Sequence, residues 1–339
     1  MAMKTIQPLW YHPTQVLLVD DDEKILRSLG KEIDPSFRSI AYKNPKAALE
    51  YLKKKEHVLP LDKFSKVIIS DVDTCDAKAL LGGDVVAINL KPLRTDLTKP
   101  IRFTQCVVAI VDKVMKEMDG LDFCREVRKL GLPVKLILLT GNAGADEAVA
   151  AFNNRIIDGF IRKSPDIDMM DEVNQQVNAL SFQVFCEAST QLLGSVLHRF
   201  PLIQQKDFSE FLQKLCQEQG IVEYFMLDSS CSYLLLLKTG KAKVFMIRSP
   251  EDFKNAYDIY DGTGSEKSVL EALKNRTVFP FTGTETYFLS DKVHWKDSMV
   301  SMTKLDKLGV YYAVVDYPDE KVFSFEQYVN EIWKPEIID

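Results

Sequence analysis

The sequence predicts an α/β protein. A doubly wound parallel sheet fills the N-terminal half, and a long helix links it to a C-terminal α+β domain. Three observations carry this. From Val16 to about Lys163, short apolar runs alternate with helix-period segments, the pattern of a parallel sheet with helices on both faces. Residues 168–200 keep helical spacing throughout. Beyond residue 221, short strands with a turn around Gly240 precede two helical segments and a late strand.

Each element has a local reason. Residues 15–20 (QVLLVD) form an apolar run ending in acids, as a strand buried on both faces does. Ile25, Leu26 and Leu29 then give a helix over 23–33, and residues 38–42 a second strand. Asn44 and Pro45 form a cap and first-turn pair that starts a helix carrying Ala48, Leu49 and Leu52. Cys106–Asp112 (CVVAIVD) is a third buried strand, followed by a helix over 120–130 with Leu121, Cys124 and Val127 on one face. Strand 133–140, helix 146–152 and strand 158–163 complete the alternation.

Between residues 57 and 105 the alternation breaks. Connections in such folds run about 2–6 residues, so the segment 58–105 reads as an insertion. Its two strand-like runs, at 66–72 and 84–90, predict an inserted hairpin or an extension of the sheet.

Met170, Val173, Val177, Leu180, Val184 and Ala188 form a near-heptad stripe. The stripe suits either a homodimer through residues 168–200 or a long helix packed on its own domain. Pro201 ends it, and a shorter helix over 207–219 closes at Gly220. Domain boundaries follow: 15–165, a helical linker over 166–220, and an α+β domain over 221–339. In that last domain Ser249-Pro250-Glu251-Asp252 opens a helix, a second runs over 266–275, and 310–315 is a strand. A terminal helix starts at Ser324, with Gln327 three residues on. His294 and Trp295 could line a pocket there, although an isolated surface pair is the simpler reading.

Composition narrows the function. No apolar run reaches the ~18–20 residues that cross a bilayer, and Lys238, Lys241 and Lys243 interrupt the longest candidate. No signal-peptide core is present. Six cysteines lie scattered without a CxxC pair, as expected of reduced thiols in the cytoplasm. Residues 1–165 carry 26 basic against 22 acidic side chains, and residues 166–339 carry 17 against 27. So acidic a C-terminal half is a poor partner for a phosphate backbone.

The polar residues at the strand ends carry the chemistry. Asp20 and Asp21 end the first strand, Asp112 the third, Thr140 the fourth and Lys163 the fifth. In an open parallel sheet these ends share one edge, where ligands bind. Each pair of carboxylates at ~4 Å repels by about 4 kcal/mol at an effective dielectric of about 20. A divalent cation relieves that repulsion, and all-oxygen ligation suits Mg²⁺. Cation, ammonium and hydroxyl are what a transferring phosphoryl group needs on its equatorial oxygens. A free carboxylate can then act as nucleophile, giving an aspartyl phosphate.

These residues resemble the receiver domain of two-component response regulators, which has a flavodoxin-like sheet. VLLVDDD (16–22) is similar to its acidic-pair motif. DKVMKEMDG (112–120) is similar to the phosphoacceptor segment, with Met115, Asp119 and Gly120 at the family spacing. KLILLTGNAG (135–144) and DGFIRKSP (158–165) resemble the threonine and lysine motifs. The resemblance implies Asp112 as phosphoacceptor and Asp20 and Asp21 as the acidic pair, with Asp21 a direct Mg²⁺ ligand. It also implies a metal contact from the Val114 carbonyl, Phe160 as the switch aromatic, and a sensor histidine kinase or phosphotransfer protein as donor. The chain departs from the pattern at Lys116, where the family has proline, and at Ser164, which separates Lys163 from Pro165. With its insertion, the chain as a whole is similar to quorum-sensing-type response regulators. Asp71, ending VIISD, is a rival acceptor that lacks the following Met and Asp-Gly. For the C-terminal domain the sequence shows no helix-turn-helix, GGDEF-like, phosphodiesterase or Walker A signature. Partner binding is the first expectation there, nucleic-acid binding the second and an enzyme the third.

Overall fold

The computed structural model describes residues 6–60, 70–71, 86–87, 90–94, 97–141, 144–163, 168–262, 264–281, 298–317 and 321–339. The chain divides into two compact units. One comprises Tyr11–Ser65, Asp96–Ala188 and Phe323–Asp339; the other comprises Met1–Trp10, Lys66–Thr95 and Ser189–Val322.

The first unit is built on a sheet of six strands. Their order is Ile337–Ile338, Arg38–Tyr42, Gln15–Val19, Cys106–Asp112, Lys135–Thr140 and Gly159–Arg162. All neighbours are parallel, with Leu17 opposite both Ile40 and Ala109, and Leu138 opposite Val111 and Phe160. Without its last-added edge strand this is the flavodoxin-like order. All seven residues of Cys106–Asp112 are buried, because helices cover both faces of the central strand.

The helices start where the caps place them. Asp22 accepts from the Lys24 N–H and opens Glu23–Glu32, which buries Leu26 and Leu29. Asn44 accepts from Lys46 and Ala47 ahead of Pro45–Lys53. Asp119 accepts from Leu121 and opens Gly120–Lys129, which turns Leu121, Phe123, Cys124 and Val127 inward. Each such cap satisfies donors that the first turn leaves free, worth about 1 kcal/mol.

The long helix is Asp168–Leu193, followed by a 3-10 segment, Gly194–Arg199, so regular α-helix stops short of residue 200. Val173, Val177, Val184 and Ala188 are buried within this one chain. Asn174 donates to the Glu32 carbonyl, Asn178 to Asp34, and Lys135 pairs with Glu187 at 2.8 Å. Phe185 packs on Tyr11, with ring centroids 5.0 Å apart. Of the two readings of the stripe, this packing fits the long helix packed on its own domain; a homodimer through residues 168–200 would have to use another face of the helix.

The chain's last residues also depart from the linear reading, which assigned all of 221–339 to one domain. Ser324 and Gln327 form the expected capping box. Beyond them Ile337 and Ile338 pair with Ala41 and Tyr42 at the edge of the parallel sheet.

In the second unit, Ile221–Met226, Tyr233–Leu237, Ala242–Arg248 and Val310–Asp316 lie side by side and antiparallel. Phe208 of the helix Lys206–Gln219 stacks on Phe245, and Gly220 closes that helix at φ 66°. Helices Pro250–Gly262 and Lys267–Lys274 follow as the caps predict. Within the insertion, Ser70–Asp71 pairs antiparallel with Val86–Ala87, as a hairpin does. The rest of both strand-like runs, the pair His294–Trp295, and Ser164 with Pro165 lie outside the described residues. Five cysteines, Cys106, Cys124, Cys186, Cys216 and Cys231, are free thiols.

Candidate phosphoacceptor site

The site forms where the parallel strands end. Asp20 follows the first strand, and its carboxylate accepts from the Asp22 N–H at 2.8 Å, which fixes the turn into the first helix. Asp112 is the last residue of the central strand. The loop after it is pinned from two sides: the Lys113 N–H donates to the Leu139 carbonyl, and the Gly120 N–H donates to the Lys113 carbonyl, both at 2.8 Å. Lys163 follows the last strand, where its N–H donates to the Thr140 carbonyl at 2.8 Å.

Lys163 Nζ bridges the two buried carboxylates, 3.0 Å from Asp20 Oδ2 and 2.9 Å from Asp112 Oδ1. The fold thus joins residues 143 apart in sequence. Asp20 is 2% exposed and Asp112 7%. Burial raises the Asp20 carboxyl above its ordinary value, opposed by the Asp22 N–H and by Lys163. On Lys163 burial acts downward, but hydrogen bonds to Asp112 and Asp20, reinforced by their charges, outweigh it and hold the ammonium above its ordinary value.

The remaining expected residues divide. Thr140 is fully buried and its hydroxyl donates to the Gly141 carbonyl at 3.0 Å. Phe160 is half-buried and meets Phe152 edge-on, with centroids 6.4 Å apart. Val114 is 71% exposed on the loop after Asp112. Asp21 turns toward that loop and accepts from the Lys116 N–H at 3.1 Å, with Lys116 Nζ at 3.8 Å. Among the described residues no three acidic, histidine or cysteine side chains stand close enough together to hold a metal. The expected set Asp20, Asp21, Asp112 and Val114 is therefore not assembled: Lys163 stands between two of the carboxylates, and Lys116 holds the third. The donor chemistry still fits a hard divalent cation, because every candidate atom is oxygen and two carboxylates are buried side by side. Asp71 has no place here; it lies on the short hairpin, outside the six-stranded sheet.

Two features were not anticipated. Lys113, beside the acceptor, forms an ion pair with Glu147 at 2.8 Å. Glycine is also required twice. A Cβ at Gly120 would lie 2.1 Å from the Asp112 carbonyl oxygen, and one at Gly144 would lie 2.3 Å from Thr140 Oγ1. Gly120 falls within the acceptor motif, whereas nothing in the sequence around Gly144 shows its crowding.

The whole chain superimposes on the Legionella pneumophila response regulator LqsR, with a TM-score of 0.76, 25% identity and 96% of each chain covered. The chain therefore shares the fold of that response regulator over nearly its full length. Other solved structures give much lower scores. The adenylate cyclase from Rhodopirellula baltica gives a TM-score of 0.34 at 20% identity, over 53% of this chain and 94% of its own. The signal receiver domain of a LuxO repressor protein from Vibrio parahaemolyticus gives 0.34 at 14%, over 52% and 95%. No family model matches the sequence, and no curated protein matches it. Of the residues that the strand ends predicted, Asp20, Asp112 and Lys163 meet at the sheet edge.

Proposed function

We propose that the protein is a phosphorylation-switched response regulator of two-component signalling, with Asp112 as its phosphoacceptor. The observation that carries this is the Lys163 bridge, which ties Asp112 to Asp20 at one buried sheet edge. An Asp112 carboxylate oxygen attacks the phosphorus of a phosphohistidine on a sensor kinase or phosphotransfer protein. The P–N bond breaks, the P–O bond forms, and the freed imidazole nitrogen takes up a proton. Lys163 then offsets charge on the transferred group, and Thr140 turns its hydroxyl toward it. Asp20, Asp21 and Asp112, with the Val114 carbonyl, would hold Mg²⁺, which supplies further charge neutralisation. Phe160 is the switch aromatic, and its partner Phe152 moves with it.

The reading divides the chain into a receiver over 15–165 with its insertion, a linker over 166–220 and an output domain over 221–339; the exceptions are Lys66–Thr95 of the insertion, which groups with the output half, and Phe323–Asp339, which groups with the receiver. The output half acts by binding a protein partner and regulates gene expression in a quorum-sensing-type pathway. Its acidic balance supports a protein partner over nucleic acid. No helix among the described residues is long and apolar enough to cross a membrane, which supports a cytoplasmic place.

The test is acetyl phosphate with Mg²⁺, followed by intact mass. One hydroxylamine-labile phosphoryl group is expected on the wild type and on Asp71→Asn, and none on Asp112→Asn. Labelling that survives in Asp112→Asn removes Asp112 as acceptor.

A further inference from the structure

A cavity of about 410 Å³ opens beside the start of the strand Arg38–Tyr42, within the receiver unit. The helix Glu23–Glu32 forms one wall and the C-terminal residues 333–337 another. Leu26, Ile33, Phe37, Trp333 and Ile337 make its lining mainly apolar. Its size falls in the range of small-molecule sites, about 300–1,000 Å³.

The charges on its walls do not balance. Arg27 is paired with Glu23, so it brings no free charge. Lys31, Arg38 and Glu336 also line the cavity, and among the described residues none of the three has an ion-pair partner. Two cations against one acid leave a single uncompensated positive charge. Arg38 is the more confined cation. Its guanidinium lies over the rings of Trp333 and Phe325, 5.1 and 5.4 Å from their centroids. Nη1 donates to the carbonyls of Pro35 at 2.8 Å and Phe37 at 2.6 Å. Nε is buried and has no hydrogen-bond partner. Native proteins rarely leave a buried donor unsatisfied, and on a cation the omission is costly.

We infer that this cavity binds a small amphipathic monocarboxylate, whose apolar body fills the Leu26–Ile33–Phe37–Trp333 lining while its carboxylate meets Arg38 and Lys31. The site is separate from the acceptor. Arg38 begins its strand, whereas Asp112 ends a strand parallel to it on the far side of Gln15–Val19, so the two lie at opposite ends of the sheet's strands. Because Trp333, Glu336 and Ile337 line the cavity, the ligand would also clamp the C-terminal residues to the sheet.

The probe is decanoate, compared with decanol, both at sub-millimolar concentration on the full chain and followed by calorimetry. Quenching of tryptophan fluorescence by 10-bromodecanoate locates the site. The wild type is expected to prefer decanoate over decanol at least tenfold. Arg38→Met should cut that preference below threefold. Lys31→Glu, on an exposed helix surface, should weaken decanoate several-fold and leave decanol unchanged; it decides the matter if Arg38→Met does not fold. Trp333→Phe should keep the affinity but lose most of the quenching. Equal affinity for acid and alcohol, an unchanged preference in the folded charge variants, or full quenching in Trp333→Phe overturns the proposal. Acetyl phosphate labelling of Asp112 is read separately and should not change with decanoate.

Discussion

Lys163 Nζ lies 2.9 Å from Asp112 Oδ1, an ion pair between the ends of two strands that are not neighbours in the sheet. The same ammonium reaches Asp20, so one cation offsets two buried carboxylates. Lys163→Met leaves both carboxylates without it. Removing one partner of a fully buried pair costs 3–5 kcal/mol, but the lysine side chain is 29% exposed. A loss of about 1–3 kcal/mol at pH 7 is therefore expected.

The pH dependence gives that loss an electrostatic signature. The folded state already raises the Asp20 carboxyl. An acid raised on folding binds its proton more readily when folded, so stability rises as pH falls through that range. Without Lys163 the carboxyl rises further, and the deficit of Lys163→Met should shrink between pH 7 and about pH 4. Lys163 itself is raised above 10.5. Its contribution is complete below that value and is lost as pH climbs through the folded one, so wild type and variant should converge in strong alkali. Urea melts at pH 4.5, 7 and 10 check the acid limb, with the deficit at pH 10 staying close to that at pH 7; an equal deficit at pH 4.5 and 7 would mean that packing, not charge, is what was lost.

Gly120 gives a second prediction. The Cβ of an alanine there would meet the carbonyl of Asp112 and Lys113 Cα at 2.1 and 2.9 Å, and both are backbone atoms that cannot swing aside. Gly120→Ala must displace the acceptor loop. It should cost about 1–3 kcal/mol and slow acetyl phosphate labelling at least tenfold. Gly131→Ala is the control. Gly131 has φ 64° with open space around it, so alanine strains only the backbone, by about 1 kcal/mol. Labelling of Gly131→Ala should match the wild type.

These two sites show what local sequence can and cannot express. Asp20, Asp112, Thr140 and Lys163 were legible because each ends an apolar run, and a parallel sheet brings such ends to one edge. The Asp21 contact was not legible: its partner is a backbone N–H at Lys116, which no side-chain pattern encodes. The pairing of Ile337 with Ala41 was hidden for a related reason. A strand of two residues carries no periodicity, and nothing near it names its partner.

The stripe on the long helix was legible as a stripe, but its partner was not, because the same spacing serves a second chain or the protein's own sheet. The structure buries Val177 completely. Val177→Glu would place a carboxylate in that packing, at a cost of 3 kcal/mol or more. A drop in thermal stability is expected, with no dissociation of a dimer. Light scattering and calorimetry together check it. A variant that melts like the wild type but halves in mass restores the dimer through this face.

The C-terminal strand supports the last prediction. Ile337 and Ile338 continue the sheet beyond Arg38–Tyr42, with the Lys43 N–H donating to the Ile338 carbonyl at 2.8 Å and the Ala41 N–H to the Glu336 carbonyl at 3.4 Å. Lys43 also pairs with the Asp339 carboxylate. Removing residues 336–339 deletes those bonds, each worth about 0.5–1.5 kcal/mol net, so a loss of about 1–2 kcal/mol is expected. The larger consequence is geometric. Arg38–Tyr42 becomes a bare edge, and its apolar residues then offer unpaired N–H and carbonyl groups to any other strand. The truncated chain should associate as its concentration rises, whereas the intact chain should not. Light scattering at several concentrations, with urea melts of both forms, tests both consequences. Unchanged stability and mass after truncation would mean that the strand does not hold the sheet edge in solution.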